Sequence, residues 1–185
     1  MKYFRINDSF DTRGRWYLGA PKDRDIEVDP RTFTEGKRYF GSRPLAIPVK
    51  HGDKPIDFTL ASFDMPVATA EVGRLIHGMA ERDIQLIPAL VNGDDYQIIN
   101  ALAVLNALDE DRSEITRWTA KDGGPQRIGT IFGIGKLVLR RRPIEKHHIF
   151  RVQKWELPLI VSEALKAELE SKDVSGIVFE QIATD

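Results

Sequence analysis

In the first third of the chain the apolar residues fall in short runs such as KYFRI and LAIPV. These are cut apart by Gly14, Gly19, Pro21, Pro30, Gly36, Gly41, Pro44, Pro48, Gly52 and Pro55. Runs this short, rich in aromatic and β-branched side chains, predict strands joined by turns rather than helices. The period changes after Pro66. Val72, Leu75, Ile76, Met79 and Ala80 recur on one face of a helix, with Thr69 as N-cap and Glu71 in the first turn, where a negative charge suits the helix dipole. Gly73 and Gly78 weaken that helix and are expected where its packing is close.

Two apolar runs follow, QLIPALV (85–91) and YQIINALAVLNALD (96–109), on either side of Asn92-Gly93. Ala and Leu serve helix and strand alike, so periodicity leaves the second run open, and the Asn-Gly turn favours a hairpin. The polar stretch EDRSEITRW (110–118) reads as a short helix or loop, and KDGGPQRIGTIFGIG (121–135) as a loop leading into a kinked strand. LVLRRRP (137–143) and HHIFRVQKW (147–155) read as further strands. Ser162 caps a second helix on which Val161, Ala164, Leu165 and Leu169 keep helical spacing. After Gly176, Ile177, Phe179 and Gln181 alternate with Val178, Glu180 and Ile182, predicting a last strand. Strands outnumber helices and are not regularly interleaved with them. The predicted class is therefore α+β: a mostly antiparallel sheet, two main helices and a C-terminal strand-helix-strand. With 185 residues, no internal repeat and no linker, 1–185 is expected to form a single domain.

Charge removes several function classes. Lys and Arg number 27 against 28 Asp and Glu, so no global field draws the chain onto nucleic acid or an anionic membrane, and neither is an expected partner. Cysteine is absent, which excludes disulfides and thiolate chemistry. The opening MKYFRINDSFDTRGRW has no apolar core of signal-peptide length, and no run approaches the roughly 20 apolar residues of a membrane helix, so a cytoplasmic location is expected.

The chemical motifs largely fail. GTIFGIGK (129–136) has the wrong glycine spacing for a phosphate loop and Leu137 where a hydroxyl is needed, and Val138 stands where a dinucleotide fingerprint needs its third glycine. His147 and His148, read as neighbours in a strand, point to opposite faces and do not share one metal ion; one is expected to face solvent and the other to pack. His51 and His77 stand far off in sequence, and no metal or other cofactor is expected. No serine sits in a nucleophile elbow, and Arg140, Arg141 and Arg142 read as a charged strand edge. Two acidic clusters remain: Asp94 with Asp95, and Asp109, Glu110 and Asp111 with Glu114.

The assembled segments resemble a family of bacterial polymorphic-toxin immunity proteins of the myxobacterial type. The resemblance rests on Ile149, Phe150 and Arg151, then Ser162, then Gly176 and Phe179. Pro66 and Val67 before the first helix support it, as do Tyr96, Asn100, Asp109 and Ser113 in the centre. The family pattern often carries a cysteine just before the central acidic residue, whereas this chain has Ala107 nearby, which argues against a thiol role. The resemblance implies a non-enzymatic protein that binds and neutralises a cognate toxin encoded beside it. On that reading Asp109, Glu110, Asp111 and Glu114, flanked by Trp118 as an aromatic anchor, form a candidate partner-binding patch that suits a basic groove. The same residues read more simply as a solvated turn. Two alternatives stay open: a small hydrolase using carboxylates at Asp94, Asp95 and Asp109, and a ligand- or peptide-binding module with an exposed sheet edge.

Overall fold

The computed structural model describes residues 1–121 and 124–185; Asp122 and Gly123, part of the predicted loop, lie outside the described residues. The Gly- and Pro-punctuated first third forms β1 (Tyr3–Asp8), β2 (Tyr17–Leu18), β3 (Lys22–Asp23), β4 (Ile26–Glu27), β5 (Leu45–Ala46), β6 (Val49–His51) and β7 (Phe58–Ala61). Next, β8 (Met65–Thr69) runs into α1 (Ala70–Ala80), whose first turn is closed by the Thr69 side chain accepting from Val72 N–H. Then come β9 (Ile84–Val91), β10 (Asp94–Ala101), β11 (Val104–Leu105), β12 (Glu114–Arg117), β13 (Ile131–Lys136) and β14 (Val138–Leu139). The last stretch holds β15 (Ile149–Val152), β16 (Trp155–Ser162), α2 (Glu163–Ser171) and β17 (Ile177–Thr184). Asn92 and Gly93 both take positive φ, 51° and 92°, as the two-residue turn between β9 and β10 requires.

The class is α+β. A six-stranded sheet runs β11-β15-β16-β1-β17-β14 and a seven-stranded sheet β4-β3-β5-β9-β10-β8-β7. Pairing is antiparallel except at β11–β15, β14–β17 and β5–β9. The central core gathers Phe4 and Ile6 of β1, Val72 and Ile76 of α1, Ile99 of β10, Val161 of β16 and Leu165 of α2. The outer face of each sheet buries a second set: Phe33, Leu45, Ile87 and Ile98 on one, Tyr3, Phe150, Ile160 and Ile182 on the other. The end of β10, Ile98 to Ala101, is buried on both faces and reads as a continuous apolar run broken by Asn100, whereas the second half of β9 alternates, with Pro88 and Leu90 exposed between Ile87, Ala89 and Val91.

The two sheets are joined along β7. The Asp57 carboxylate accepts from Ser175 N–H at 2.9 Å and from its hydroxyl at 2.6 Å, and Phe58 N–H donates to the Ser175 carbonyl at 3.1 Å. Nearby, the fully buried Arg15 guanidinium donates to Asp8 Oδ1 at 2.9 Å and to Thr59 Oγ1, tying β1 to β7.

Three local expectations are corrected. The stretch 110–118 contains strand β12, because Ile115 packs onto the outer core while its neighbours Glu114 and Thr116 stay in water. The stretch 147–155 is not one strand. It is a short strand and a tight turn, with Lys154 at φ 75° reversing the chain into β16. Of LVLRRRP only Val138 and Leu139 pair, parallel to the end of β17. Gly73 packs closely, since an added Cβ would press on the Gln97 side chain of β10, whereas nothing lies within 4 Å of one at Gly78.

Candidate partner-binding surface

The segment after β11 folds as a two-stranded ribbon separate from both large sheets. Its entry is an Asp turn: Asp109 Oδ1 accepts from Arg112 N–H at 3.1 Å and the Asp109 carbonyl from Ser113 N–H at 3.0 Å. The Ser113 hydroxyl then accepts from Val138 N–H at 3.0 Å, fixing the ribbon's root. β12 and β13 pair with two register shifts, which twist the ribbon. Ile115, Ile131 and Ile134 anchor it on the outer core. On its other side Trp118 meets Phe132 edge-to-face, with centroids 4.7 Å apart at 85°, and the Arg127 guanidinium lies 5.2 Å over the indole. Phe132 stays 56% exposed and Ile128 51%, large apolar groups that nothing in the described chain covers.

Of the five residues singled out from the sequence, Asp109, Glu110 and Asp111 share the turn, Glu114 stands on β12 opposite Lys136, and Trp118 lies just past the end of that strand. Asp109 shapes the turn. Glu110 spans two cations: Oε1 accepts from Lys154 Nζ at 2.6 Å and Oε2 from Arg117 Nη2 at 2.5 Å. Asp111 and Glu114 are exposed, and Trp118 is half-buried in the aromatic pair. Basic side chains thread the cluster, since Arg140 and Lys154 share a hollow of about 410 Å³ with Asp109, Glu110 and Asp111.

The hydrogen bond from Lys154, and secondarily that from Arg117, hold the Glu110 carboxyl below its ordinary range. A carboxyl lowered in the fold contributes above its unfolded pKa and loses that contribution as pH falls through the folded one. The brace from Lys154 to the ribbon is therefore expected to persist through the ordinary carboxylate range and loosen only below it. Glu110→Gln is expected to leave Tm nearly unchanged, because the group is solvent-exposed, yet to speed amide exchange in β12 and β13 several-fold relative to β1. Equal exchange in both would show that the bridge does not hold the ribbon.

Beside the ribbon lies a groove of about 630 Å³ walled by Phe63, Ile131, Trp155 and Leu157, with Arg31 and Lys154 at its rim. Phe63 and Asp64 are consecutive non-glycine residues in the left-handed region, φ 57° and 54°, and Phe63 is 57% exposed. Two such residues cost about 1–3 kcal/mol each and persist only where surrounding contacts over-determine them. Arg151 does much of this. Its guanidinium, fully buried, donates to the Glu156 and Leu157 carbonyls at 2.6 and 2.7 Å and to the Asp64 carbonyl at 3.1 Å. Burial pushes its pKa down to about 10, against the opposing pull of Asp64 and Glu156, so it stays charged at neutral pH. One buried cation thus fixes two groove walls, the Phe63–Asp64 turn and the start of β16. Arg127, Phe132, Phe63 and Lys154 were not singled out from the sequence as surface residues.

The profile of the Immunity protein family (Imm11) matches residues 88–184. The chain belongs to that family. No curated protein matches it. The Imm11 match includes the ribbon, the Arg151 clamp and the turn at Lys154, while Arg31 and Phe63 precede it.

Elsewhere in this Imm11 chain the two histidines precede β15, and each has its own partner. His147 Nδ1 lies 2.7 Å from Asp83 Oδ1, and His148 Nδ1 lies 2.8 Å from Ser162 Oγ. Both rings are half-buried, so neither simply faces solvent as expected. Among the described residues no three His, Asp or Glu side chains are grouped to hold a metal ion. Asp94 and Asp95 open β10, exposed, in the seven-stranded sheet, whereas Asp109 follows the bridge between Leu108 and Leu139 beside the other sheet. Among the described residues no helix is long and apolar enough to cross a membrane.

Proposed function

We propose that this chain is a cytoplasmic, single-domain immunity protein that neutralises a cognate toxin by stoichiometric binding, without turnover. The contact surface includes Asp109, Glu110, Asp111, Glu114 and Trp118. The observation that carries the reading beyond family membership is the pair of half-buried Trp118 and exposed Phe132 on a braced ribbon, next to a groove with an aromatic held in a strained backbone. Such a surface has what tight association needs: aromatic anchors already in place, a polar rim and adjoining concavity.

The test is co-expression with the toxin encoded beside the gene. Induction of the toxin alone is expected to stop growth, and co-expression of this protein to restore it, with both proteins eluting together at a fixed ratio. Rescue at a small fraction of the toxin's molar amount would instead indicate turnover. Absence of both rescue and complex would sink the immunity reading.

A further inference from the structure

We infer that the outer face of the ribbon inserts Trp118 and Phe132 into an apolar pocket of the toxin rimmed by carboxylates, with Arg127 meeting that rim. The inference rests on the immunity reading and adds the polarity and chemistry of the surface that is met. Its first support is local charge. Although the whole chain carries a net charge of -1, residues 112–136 hold Arg112, Arg117, Lys121, Arg127 and Lys136 against Glu114 and Asp122. Of the acidic side chains in the preceding turn, Glu110 is already spanned by Lys154 and Arg117. One carboxylate of the acidic cluster, Glu110, is therefore balanced within the fold, while Asp111 and Glu114 stay exposed, and the ribbon beyond the turn is basic on balance.

Preorganisation is the second support. The edge-to-face contact fixes both rings before any partner arrives, so little side-chain freedom is lost on docking. Arg127 rests on the indole and, among the described residues, pairs with no carboxylate, which leaves its charge for a partner. Tryptophan and arginine are the side chains that most often dominate association energies. Basic and aromatic residues together also suit single-stranded nucleic acid, but base stacking needs an open ring face. Here Arg127 covers the indole, which leaves Phe132 as the exposed ring of the pair and no succession of open faces for consecutive bases, so a protein pocket is the better occupant.

The test is calorimetric titration of the full chain with the purified toxin domain encoded beside it, at low and moderate salt. Phe132→Ala and Arg127→Glu, both on exposed positions, are expected to weaken binding about 30-fold or more. Wild-type affinity should fall with salt, and that dependence should shrink in Arg127→Glu. Ile26→Ala, an exposed apolar control on the edge of the other sheet, should bind like wild type, and circular dichroism should show every variant folded. Unchanged affinity of Phe132→Ala and Arg127→Glu would overturn the inference and leave the immunity reading standing. Tighter binding by Arg127→Glu would overturn its polarity. Competition by a random single-stranded oligonucleotide, lost in Phe132→Ala, would give the face to nucleic acid instead. Failure of the wild type to bind the toxin would remove both readings.

Discussion

Arg151→Ala is expected to lower global stability by about 3–5 kcal/mol, because it removes the donor shared by three backbone carbonyls and leaves a cavity where a fully buried side chain stood. In a chain of this length that corresponds to a fall in Tm of roughly 10 °C. Arg151→Lys should recover only part of the loss, since a single ammonium cannot reproduce the planar fork that reaches both Asp64 and the Glu156–Leu157 backbone. The lysine variant is also the more informative one for function. It keeps a positive charge in the core while releasing the groove walls, so toxin affinity should fall more than stability does. Urea unfolding gives the first quantity and titration calorimetry the second. An Arg151→Ala protein within about 1 kcal/mol of wild type would show that the clamp is dispensable.

Gly176→Ala is expected to be nearly as damaging, at about 3–4 kcal/mol, although it adds one methyl group. Gly176 has φ 93°, a region that L side chains avoid, and an added Cβ would land on the Phe58 carbonyl oxygen well inside van der Waals contact. That oxygen belongs to β7, the strand along which the sheets are joined, and Ser9 N–H already donates to the Gly176 carbonyl at 2.9 Å. A shift of the backbone here would strain the hydrogen bonds of Ser9 to Gly176 and of Phe58 to Ser175 that close the seam. Loss of stability should therefore come with faster exchange at Phe58 and Ser9, measured by hydrogen exchange. Gly78→Ala serves as the control: an added Cβ there meets nothing within 4 Å, and the helix should gain up to about 1 kcal/mol.

Both positions belong to the pattern on which the family resemblance rested, and both act in the scaffold. This explains which parts of the molecule could be read in advance. Helix α1 was plain, because Thr69, Glu71 and the apolar stripe from Val72 to Ala80 each signal a helix independently. The β9–β10 hairpin was plain because Asn92 and Gly93 accept positive φ at little cost. The turn at Lys154 was hidden, since no Gly, Asn or Pro marks it; it is held by Lys154 N–H donating to Glu156 Oε1 at 2.9 Å and by the Arg151 clamp beneath. Strand β12 was hidden for a related reason, as only Ile115 in Glu114–Arg117 is partly buried and a single apolar residue gives no period. The surface was least readable. Charge spacing alone marked Asp109, Glu110, Asp111 and Glu114 as acidic, and the cations that pair with Glu110 come from β12 and from a turn 44 residues away.

The placement of β1 has a consequence for synthesis. β1 lies between β16 and β17 and pairs with both, so it leaves the ribosome long before either of its neighbours is made. At about 5–20 residues per second, roughly 10–30 s separate the emergence of Asp8 from that of Ile177. Through that interval Phe4 and Ile6 have no sheet to join, whereas β8, α1, β9 and β10 can already assemble from local contacts. Nascent chains caught before residue 155 are thus incomplete in the sheet that carries the Arg151 clamp. The six-stranded sheet, and with it the setting of the Arg151 clamp, can therefore close only after β17 has been made.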